Sequence, residues 1–144
     1  MADDAILKVQ NLVKYFPITG GLLNRTVAHV HAVDDLSFEL KRGETLGLVG
    51  ESGCGKSTVG KTLVRLHPAT SGKIILEGQD STDLTGENLK AYRRNVQMIF
   101  QDPYESLNPR HSVRSIIEEP LVIHKLMKKS ERKGYVQQLL SRVG

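Results

Sequence analysis

A glycine-rich stretch in the first half of the chain constrains the fold more than any other feature of the sequence. Residues 50–58 read GESGCGKST and satisfy the pattern G-x-x-x-x-G-K-[ST]. An apolar run at residues 45–49 precedes them, and apolar residues follow at helical spacing, at Val59, Leu63 and Leu66. A strand that leads through such a loop into a helix is the setting that a phosphate-binding loop requires. The stretch therefore predicts an α/β fold with a phosphate site at the start of a helix.

The residue types in this loop suit phosphate chemistry. Glycines allow successive backbone N–H groups to turn inward around a phosphate, and the helix N-terminus adds the positive end of its dipole. Lys56 can reach the β- and γ-phosphates, and the hydroxyl of Ser57 can ligate Mg²⁺. The predicted binding residues are Gly50, Glu51, Ser52, Gly53, Cys54, Gly55, Lys56, Ser57 and Thr58. The alternative interpretation is a glycine-rich turn that binds nothing.

The composition limits the class of protein. With 144 residues, 39% apolar and 25% charged, the chain has the composition of a soluble globular domain, which excludes disordered and collagen-like classes. A single cysteine, Cys54, excludes an internal disulfide framework and cannot alone build a zinc site. Its interpretation is a small residue tolerated in the loop, with a redox-sensing thiol as the alternative. The five histidines show no ligand spacing.

Neither a membrane span nor a signal peptide is evident in the sequence. No apolar run approaches the roughly 20 residues needed to cross a bilayer, and the start, MADDAILK, lacks the basic and apolar regions of a signal peptide. We therefore expect a protein that is cytoplasmic or lies on the cytoplasmic side of a membrane. The net charge of +4 would suit phosphate ligands or an acidic partner as well as nucleic acid.

Periodicity and turn residues predict the order of elements along the chain. Strands are expected at residues 6–9, 33–40, 45–49, 73–77 and 96–100, with a loop at 17–31. Helices are expected from Lys56 to the His67-Pro68 pair, at residues 87–94, from a Ser112 cap to Pro120, and at residues 130–143. The last of these places Tyr135, Val136, Leu139, Leu140 and Val143 on one apolar face.

Three motifs together carry a family resemblance. The loop with its upstream residues reads RGETLGLVGESG, residues 97–103 read QMIFQDP, and residues 106–110 read SLNPR. From about Ile6 to Gly144 the chain resembles the ATP-binding subunits of ABC transporters, in the oligopeptide and dipeptide importer branch. The resemblance implies an α/β P-loop NTPase of the ABC ATPase type, with an N-terminal antiparallel β-subdomain and an incomplete RecA-like core. Residues 1–144 would form the N-terminal part of a nucleotide-binding domain.

The resemblance also implies roles for residues outside the loop. Gln101 matches the Q-loop glutamine, which in relatives contacts Mg²⁺ or the attacking water. An amide at the carboxyl end of a buried strand is compatible with that role, and an ordinary loop residue is the alternative. Relatives stack the adenine ring on an aromatic side chain near the end of the first strand. The spacing favours Phe16, with Tyr15 one residue away, and the residue that does not stack is expected in the core.

The function that the resemblance implies is ATP binding, with ATP hydrolysis in the full-length subunit, to energise the import of oligopeptides or dipeptides. Two such subunits would enclose two Mg-ATP molecules and drive transmembrane permease subunits at the cytoplasmic face of the inner membrane. Residues 101–117 would face the permease, and no nucleic-acid partner is expected. The alternatives are a non-transport ABC ATPase acting on nucleic acid or ribosomes, and a P-loop small-molecule kinase.

Several family motifs have no counterpart in the chain. Relatives carry an LSGGQ-type signature, an apolar strand that ends in Asp-Glu, a loop with an Asp and a switch histidine, all after the Q-loop. We expect that the chain stops before them and, without the catalytic carboxylate, hydrolyses little ATP alone. A basic cluster near the end could meet anionic lipid or an acidic partner, or be the solvated start of a helix; it comprises Lys125, Lys128, Lys129, Arg132 and Lys133.

Overall fold

The computed structural model describes residues 4–21, 25–102 and 107–144. In this part of the chain four strands form one antiparallel sheet: β1 (Ala5–Gly20), β2 (Arg25–Lys41), β3 (Ser71–Leu76) and β4 (Gln79–Asp80). Their order across the sheet is β2-β1-β3-β4. The predicted antiparallel β-subdomain is therefore present. The chain divides into two compact units, Met1–Met98 and Ile99–Gly144, and each is described by itself.

The core of the first unit lies on one face of this sheet. Val9 and Leu12 of β1 and Ile74 of β3 are fully buried. Val9 and Leu12 are three residues apart, so strict alternation would turn them to opposite faces. A register shift between them, with Asn11 at φ 47°, restores both to the core. The Asn11 side chain donates to Asp35 Oδ1 at 2.7 Å, which fixes the irregular backbone to β2.

Of residues 17–31, which the sequence predicted as a loop, residues 17–20 and 25–31 are strand. They extend β1 and β2 into a long hairpin in which Phe16 pairs with Val30 and Ile18 with Ala28. The chain turns after Gly20, with Gly21 in the left-handed region at φ 74°. The β-branched residues on either side of this turn favour a strand, although none of them is buried. The absence of an alternating buried pattern is why the sequence did not indicate these strands.

Two helices of the first unit follow the sequence prediction closely. Helix α1 spans Lys56–Leu63 and helix α2 spans Gly86–Asn95. Leu63 packs against the sheet core, and the buried Tyr92 of α2 donates its hydroxyl to the Leu63 carbonyl at 2.6 Å. Leu66 was predicted on the same helical face, but it lies beyond the end of α1 and is exposed. The helix ends earlier than expected because Arg65 adopts a positive φ of 61°.

Two predicted strands are absent from the described residues. Residues 45–49 and 96–100 are irregular. Residues 45–49, Ile99 and Phe100 are exposed, with Val49 89% and Ile99 92% accessible, whereas Val96 and Met98 are half-buried. A strand buried on both faces exists only when hydrogen-bonded neighbours flank it. Within the described part of the chain neither segment has such a neighbour. Apolar character alone was therefore an insufficient indication of a strand.

The described residues of the second unit form two helices, α3 (Val113–Ile123) and α4 (Lys129–Val143), which contact each other. Ser112 caps α3 as predicted, because its hydroxyl oxygen accepts from the Ser115 N–H at 3.2 Å. Pro120 does not stop this helix. The turn after it is held by the His124 N–H, which donates to the Pro120 carbonyl at 3.0 Å, and by the buried Leu121. The prediction that α3 ends at Pro120 was wrong because packing outweighed the loss of one backbone donor.

Fewer apolar side chains of this helix pair are buried than the sequence suggested. On the apolar face predicted for α4, only Val136 is buried, and Tyr135, Leu140 and Val143 are exposed. In the basic cluster the four lysines are exposed. Arg132 instead contacts the Met127 carbonyl at 3.3 Å and forms an ion pair with Glu118 at 3.9 Å. One member of the cluster thus serves the packing of α3 on α4.

Candidate functional site

The glycine-rich loop leads directly into the N-terminus of α1. Gly53 and Gly55 adopt left-handed conformations, with φ of 84° and 98°. The Cys54 N–H donates to the Glu51 carbonyl at 3.3 Å and closes the turn. Gly55 is the N-cap of α1, and no side chain caps the helix there. The first amide groups of α1 are therefore oriented toward the loop, as an anion site requires.

Gly55 also fixes the loop to the sheet. A Cβ atom at this position would collide with the carbonyl oxygen of Ala32 in β2, at a φ that an L-residue adopts only with strain. A Cβ atom at Gly50 would lie 2.6 Å from the Cys54 Sγ. Gly55 is thus required by close backbone approach to β2 as well as by φ, whereas Gly50 leaves room for the Cys54 side chain within the loop. The loop can come this near to β2 only without a side chain at position 55.

Lys56 lies across the mouth of the loop. Its ammonium donates to the carbonyl oxygens of Gly50 at 2.7 Å and Glu51 at 2.6 Å, and it is 3.4 Å from the Cys54 Sγ. An ammonium has three donors, and a thiol is a weak acceptor. An anionic oxygen could therefore replace the thiol while the two carbonyl bonds hold the lysine in place. The loop presents a positive charge and free amides to the same point.

A depression of about 340 Å³ adjoins this loop. Three residue groups line it: the loop and α1 supply Cys54, Gly55, Lys56 and Val59, β2 supplies His31, Ala32, Val33, Asp34 and Leu36, and the segment before the loop supplies Leu48 and Val49. Ser57, the predicted Mg²⁺ ligand, is exposed in the first turn of α1, and Thr58 is half-buried there. A larger cavity of about 480 Å³ lies between β4 and α2, away from the loop.

The two candidate aromatics near the end of β1 have different surroundings. The Tyr15 ring stacks on His31 with centroids 3.8 Å apart, and its hydroxyl donates to Asp34 Oδ1 at 2.6 Å. That hydrogen bond is the main reason that the pKa of Tyr15 is raised. Phe16 meets His67 edge-on at 5.2 Å, with the Lys14 ammonium 4.7 Å from its ring centroid. Because Tyr15 already stacks within the protein, the geometry favours Phe16 for a base.

Gln101 belongs to the second unit and is exposed. The expectation that it ends a buried strand was wrong, because residues 96–100 are not a strand in the described chain. Its predicted role as the Q-loop glutamine stays a prediction. Of the motif that follows, residues 103–106 lie outside the described residues. Asn108 forms a turn in which its side-chain oxygen accepts from the Arg110 N–H at 3.0 Å.

Sequence reasoning missed three residues around the candidate base site. Lys14, His31 and Asp34 contact the two aromatic rings. The spacing of Lys14 and Phe16, two positions apart on one strand, could have indicated the first contact, since such residues share a face. The other two depend on the pairing of β1 with β2, which the predicted loop had hidden.

The described residues contain neither a metal-ligand cluster nor a helix that could span a membrane. No group of three or more His, Cys, Asp or Glu side chains is arranged there to hold a metal ion. Within the same ranges, no helix combines the length and the apolar character needed to cross a bilayer.

A glycine loop that opens a helix, with a lysine across its mouth, defines the phosphate-binding-loop class of protein. The family model described as ABC transporter matches residues 33–144, and the chain belongs to this family. It is 54% identical over 143 residues to the oligopeptide transport ATP-binding protein AppF of Bacillus subtilis (strain 168), covering 99% of this chain and 44% of that protein. It is 52% identical over 141 residues to the glutathione import ATP-binding protein GsiA of Pectobacterium atrosepticum, covering 98% and 23%.

Solved structures show the same fold. The ATP-binding cassette MJ0796, in a post-hydrolysis state bound to ADP and Pi, superimposes with a TM-score of 0.71 at 24% identity, over 94% of this chain and 56% of that one. The protein cbiO1 of Clostridium perfringens, part of the transporter complex cbiONQ, gives a TM-score of 0.67 at 26% identity, over 97% and 51%. The predicted ABC ATPase fold is thereby confirmed. The chain spans less than half the length of the two curated relatives.

Proposed function

We propose that the chain is the N-terminal part of the ATP-binding subunit of a peptide-importing ABC transporter. The observation that carries this proposal is the phosphate-binding loop itself, with Lys56 held across its mouth by two carbonyl oxygens. Support for transport comes from the similarity to proteins named for oligopeptide transport and glutathione import. Family membership also argues against the small-molecule kinase alternative.

ATP binds, in this proposal, with its phosphates in the loop of residues 50–58. Lys56 and the first amides of α1 contact the β- and γ-phosphate oxygens, where the dipole and the ammonium act together. Phe16 stacks against the adenine ring, since Tyr15 is engaged by His31. The phosphate contacts are supported by the loop geometry and by the depression of about 340 Å³ beside it.

The residues of the loop fit a magnesium ion that accompanies the nucleotide. Ser57 has an exposed hydroxyl in the first turn of α1, one residue after Lys56, and hydroxyl oxygen is a ligand type that Mg²⁺ accepts. When bound with ATP, the ion neutralises charge on the phosphate oxygens. Gln101 is the proposed second contact to the ion or to the attacking water. We assign hydrolysis to the full-length subunit, because the catalytic carboxylate of the family pattern has no counterpart in these 144 residues.

The proposed partners are the permease subunits of the transporter and a second ATP-binding subunit. The subunit would be peripheral at the cytoplasmic face of the inner membrane, with residues 101–117 directed toward the permease. This assignment rests on the resemblance of QMIFQDP and SLNPR and on the transport functions for which the relatives are named.

Substitution of Lys56 tests the proposal. In the full-length subunit, Lys56→Ala is expected to reduce ATP affinity by about 100-fold, since a hydrogen bond to a charged group contributes up to about 3 kcal/mol. Isothermal titration with ATP and Mg²⁺ measures this change. Lys61→Ala, in the last turn of the same helix, is the matched control and should bind as the wild type does. Unchanged affinity in Lys56→Ala would remove the central claim.

A further inference from the structure

A buried cation lies beside the candidate base site. Lys14 of β1 is only 8% exposed, although its side chain is charged. In the described chain no carboxylate lies within ion-pair distance of its ammonium. The interaction recorded for this ammonium is with the Phe16 ring, whose centroid is 4.7 Å away.

Part of Phe16 stays accessible beside its contacts within the protein, since the residue is half-buried. Lys14 and Phe16 are two positions apart on β1 and share a face of the strand, whereas Tyr15 contacts His31 and Asp34. His67 meets the Phe16 ring with an interplanar angle of 89°. The Phe16 ring therefore has a cation and an imidazole as neighbours and an accessible part that a base could contact.

We propose that Lys14 is a positioning residue for the nucleotide base, acting through Phe16. A cation attracts the π electrons of the ring that it faces. The opposite face then becomes less negative and stacks better on an electron-rich purine. The same contact holds the ring in one orientation before the base arrives, so less rotamer entropy is lost on binding. This inference rests on the proposed function, because it requires that Phe16 stacks on the adenine.

Comparison of two ligands separates the base from the phosphates. ATP and inorganic tripolyphosphate share the phosphate chain, and only ATP carries a base. The full-length subunit is titrated with each, as wild type, Lys14→Met, Lys14→Arg and Phe16→Ala. Lys73→Met is the matched control, since Lys73 is an exposed lysine of the neighbouring strand β3. Lys14→Gln is a second neutral variant in case Lys14→Met does not fold.

We expect that Lys14→Met weakens ATP binding about two- to fivefold, in proportion to a cation–π contact that is not fully desolvated. Tripolyphosphate affinity should stay unchanged. Lys14→Arg should retain most of the ATP affinity, because guanidinium also binds an aromatic face. Quenching of 1,N6-ethenoadenosine triphosphate fluorescence, which reports stacking, should weaken in Lys14→Met and persist in Lys14→Arg.

Three results would overturn the inference. Equal loss of ATP and tripolyphosphate affinity in Lys14→Met would mean that Lys14 contacts phosphate or only supports the fold. Wild-type ATP affinity in Lys14→Met, with a loss in Phe16→Ala, would leave the stacking intact and remove Lys14 from it. Wild-type ATP affinity in Phe16→Ala would remove Phe16 from the proposed function and this inference with it, while the Lys56 result would still stand by itself.

Discussion

The sheet and the segment that leads into the phosphate-binding loop contain similar apolar side chains with opposite exposure. Leu12 of β1 is 0% exposed, whereas Leu48, two residues before the loop, is 45% exposed. Leu12 pairs with Leu36 of β2 in a sheet that also hydrogen-bonds β1 to β3. Leu48 has no strand on either side within the described chain. The difference shows that pairing, more than apolar character, decides whether a run of residues becomes a buried strand.

The loop is nevertheless well formed beside this exposed segment. Its geometry depends on local backbone bonds, on Gly55 against β2 and on Lys56 across the turn. The binding site for an anion can therefore be complete where the neighbouring core is not. The stability of the unit and the shape of its candidate site have separate origins.

Two leucine substitutions give the sharpest test of this comparison. In the 144-residue chain, Leu12→Ala should lower the free energy of unfolding by about 2–5 kcal/mol, because it leaves a cavity in the core. Leu48→Ala should lower it by less than about 1 kcal/mol, as is usual for an exposed side chain. Chemical denaturation of both variants measures the two costs.

Equal costs for the two variants would show that Leu48 is packed as tightly as Leu12. The full-length subunit sharpens the comparison further. If further strands of the proposed RecA-like core flank residues 45–49 there, the cost of Leu48→Ala should rise toward that of Leu12→Ala. An unchanged small cost in the full-length protein would contradict that part of the proposal.

Prediction from the sequence succeeded for features that depend on nearby residues and failed for features that depend on the pairing of distant strands. The loop, α1, α2 and the Ser112 cap depend on residues a few positions apart, and each was predicted nearly as observed. The hairpin extension at residues 17–20 and 25–31 and the irregular segments at 45–49 and 96–100 depend on which strands meet. The pairing register of the strands decides this, and a single sequence does not specify that register.

In the candidate site, too, the contacts between nearby residues could be predicted and those between distant residues could not. The phosphate contacts could be predicted because they follow from the spacing of Gly50, Gly55 and Lys56. The choice between Tyr15 and Phe16 could not be settled, because it depends on His31 from the opposite strand. The spacing of Lys14 and Phe16 could have indicated their contact. The burial of Lys14, which makes this contact notable, could not be predicted from the spacing.

A pair of glycine substitutions tests how the loop is attached to the sheet. Gly55→Ala places a Cβ atom against the Ala32 carbonyl at φ 98°, so it should cost about 2–3 kcal/mol in stability and weaken tripolyphosphate binding. Gly78, between β3 and β4, has a φ of 78° with nothing within 4 Å of an added Cβ. Gly78→Ala should cost only about 1 kcal/mol, without change in binding. Similar effects of both variants on binding would contradict the specific attachment of Gly55 to β2.

The smallest expected effect concerns a polar anchor of the sheet. Asp80 of β4 accepts from the Thr82 hydroxyl at 2.6 Å and from its N–H at 2.9 Å, and these bonds lower the pKa of Asp80. A lowered pKa favours the folded state above the unfolded pKa of about 3.9, and this contribution is lost as pH falls through the folded value. Denaturation between about pH 5 and pH 3 should therefore show a shallower loss of stability in Asp80→Asn than in the wild type. Tripolyphosphate binding at pH 7 should be the same in Asp80→Asn and the wild type, because the geometry of the phosphate-binding loop does not depend on the hydrogen bonds of Asp80. A change in that binding would show that the sheet and the loop are coupled.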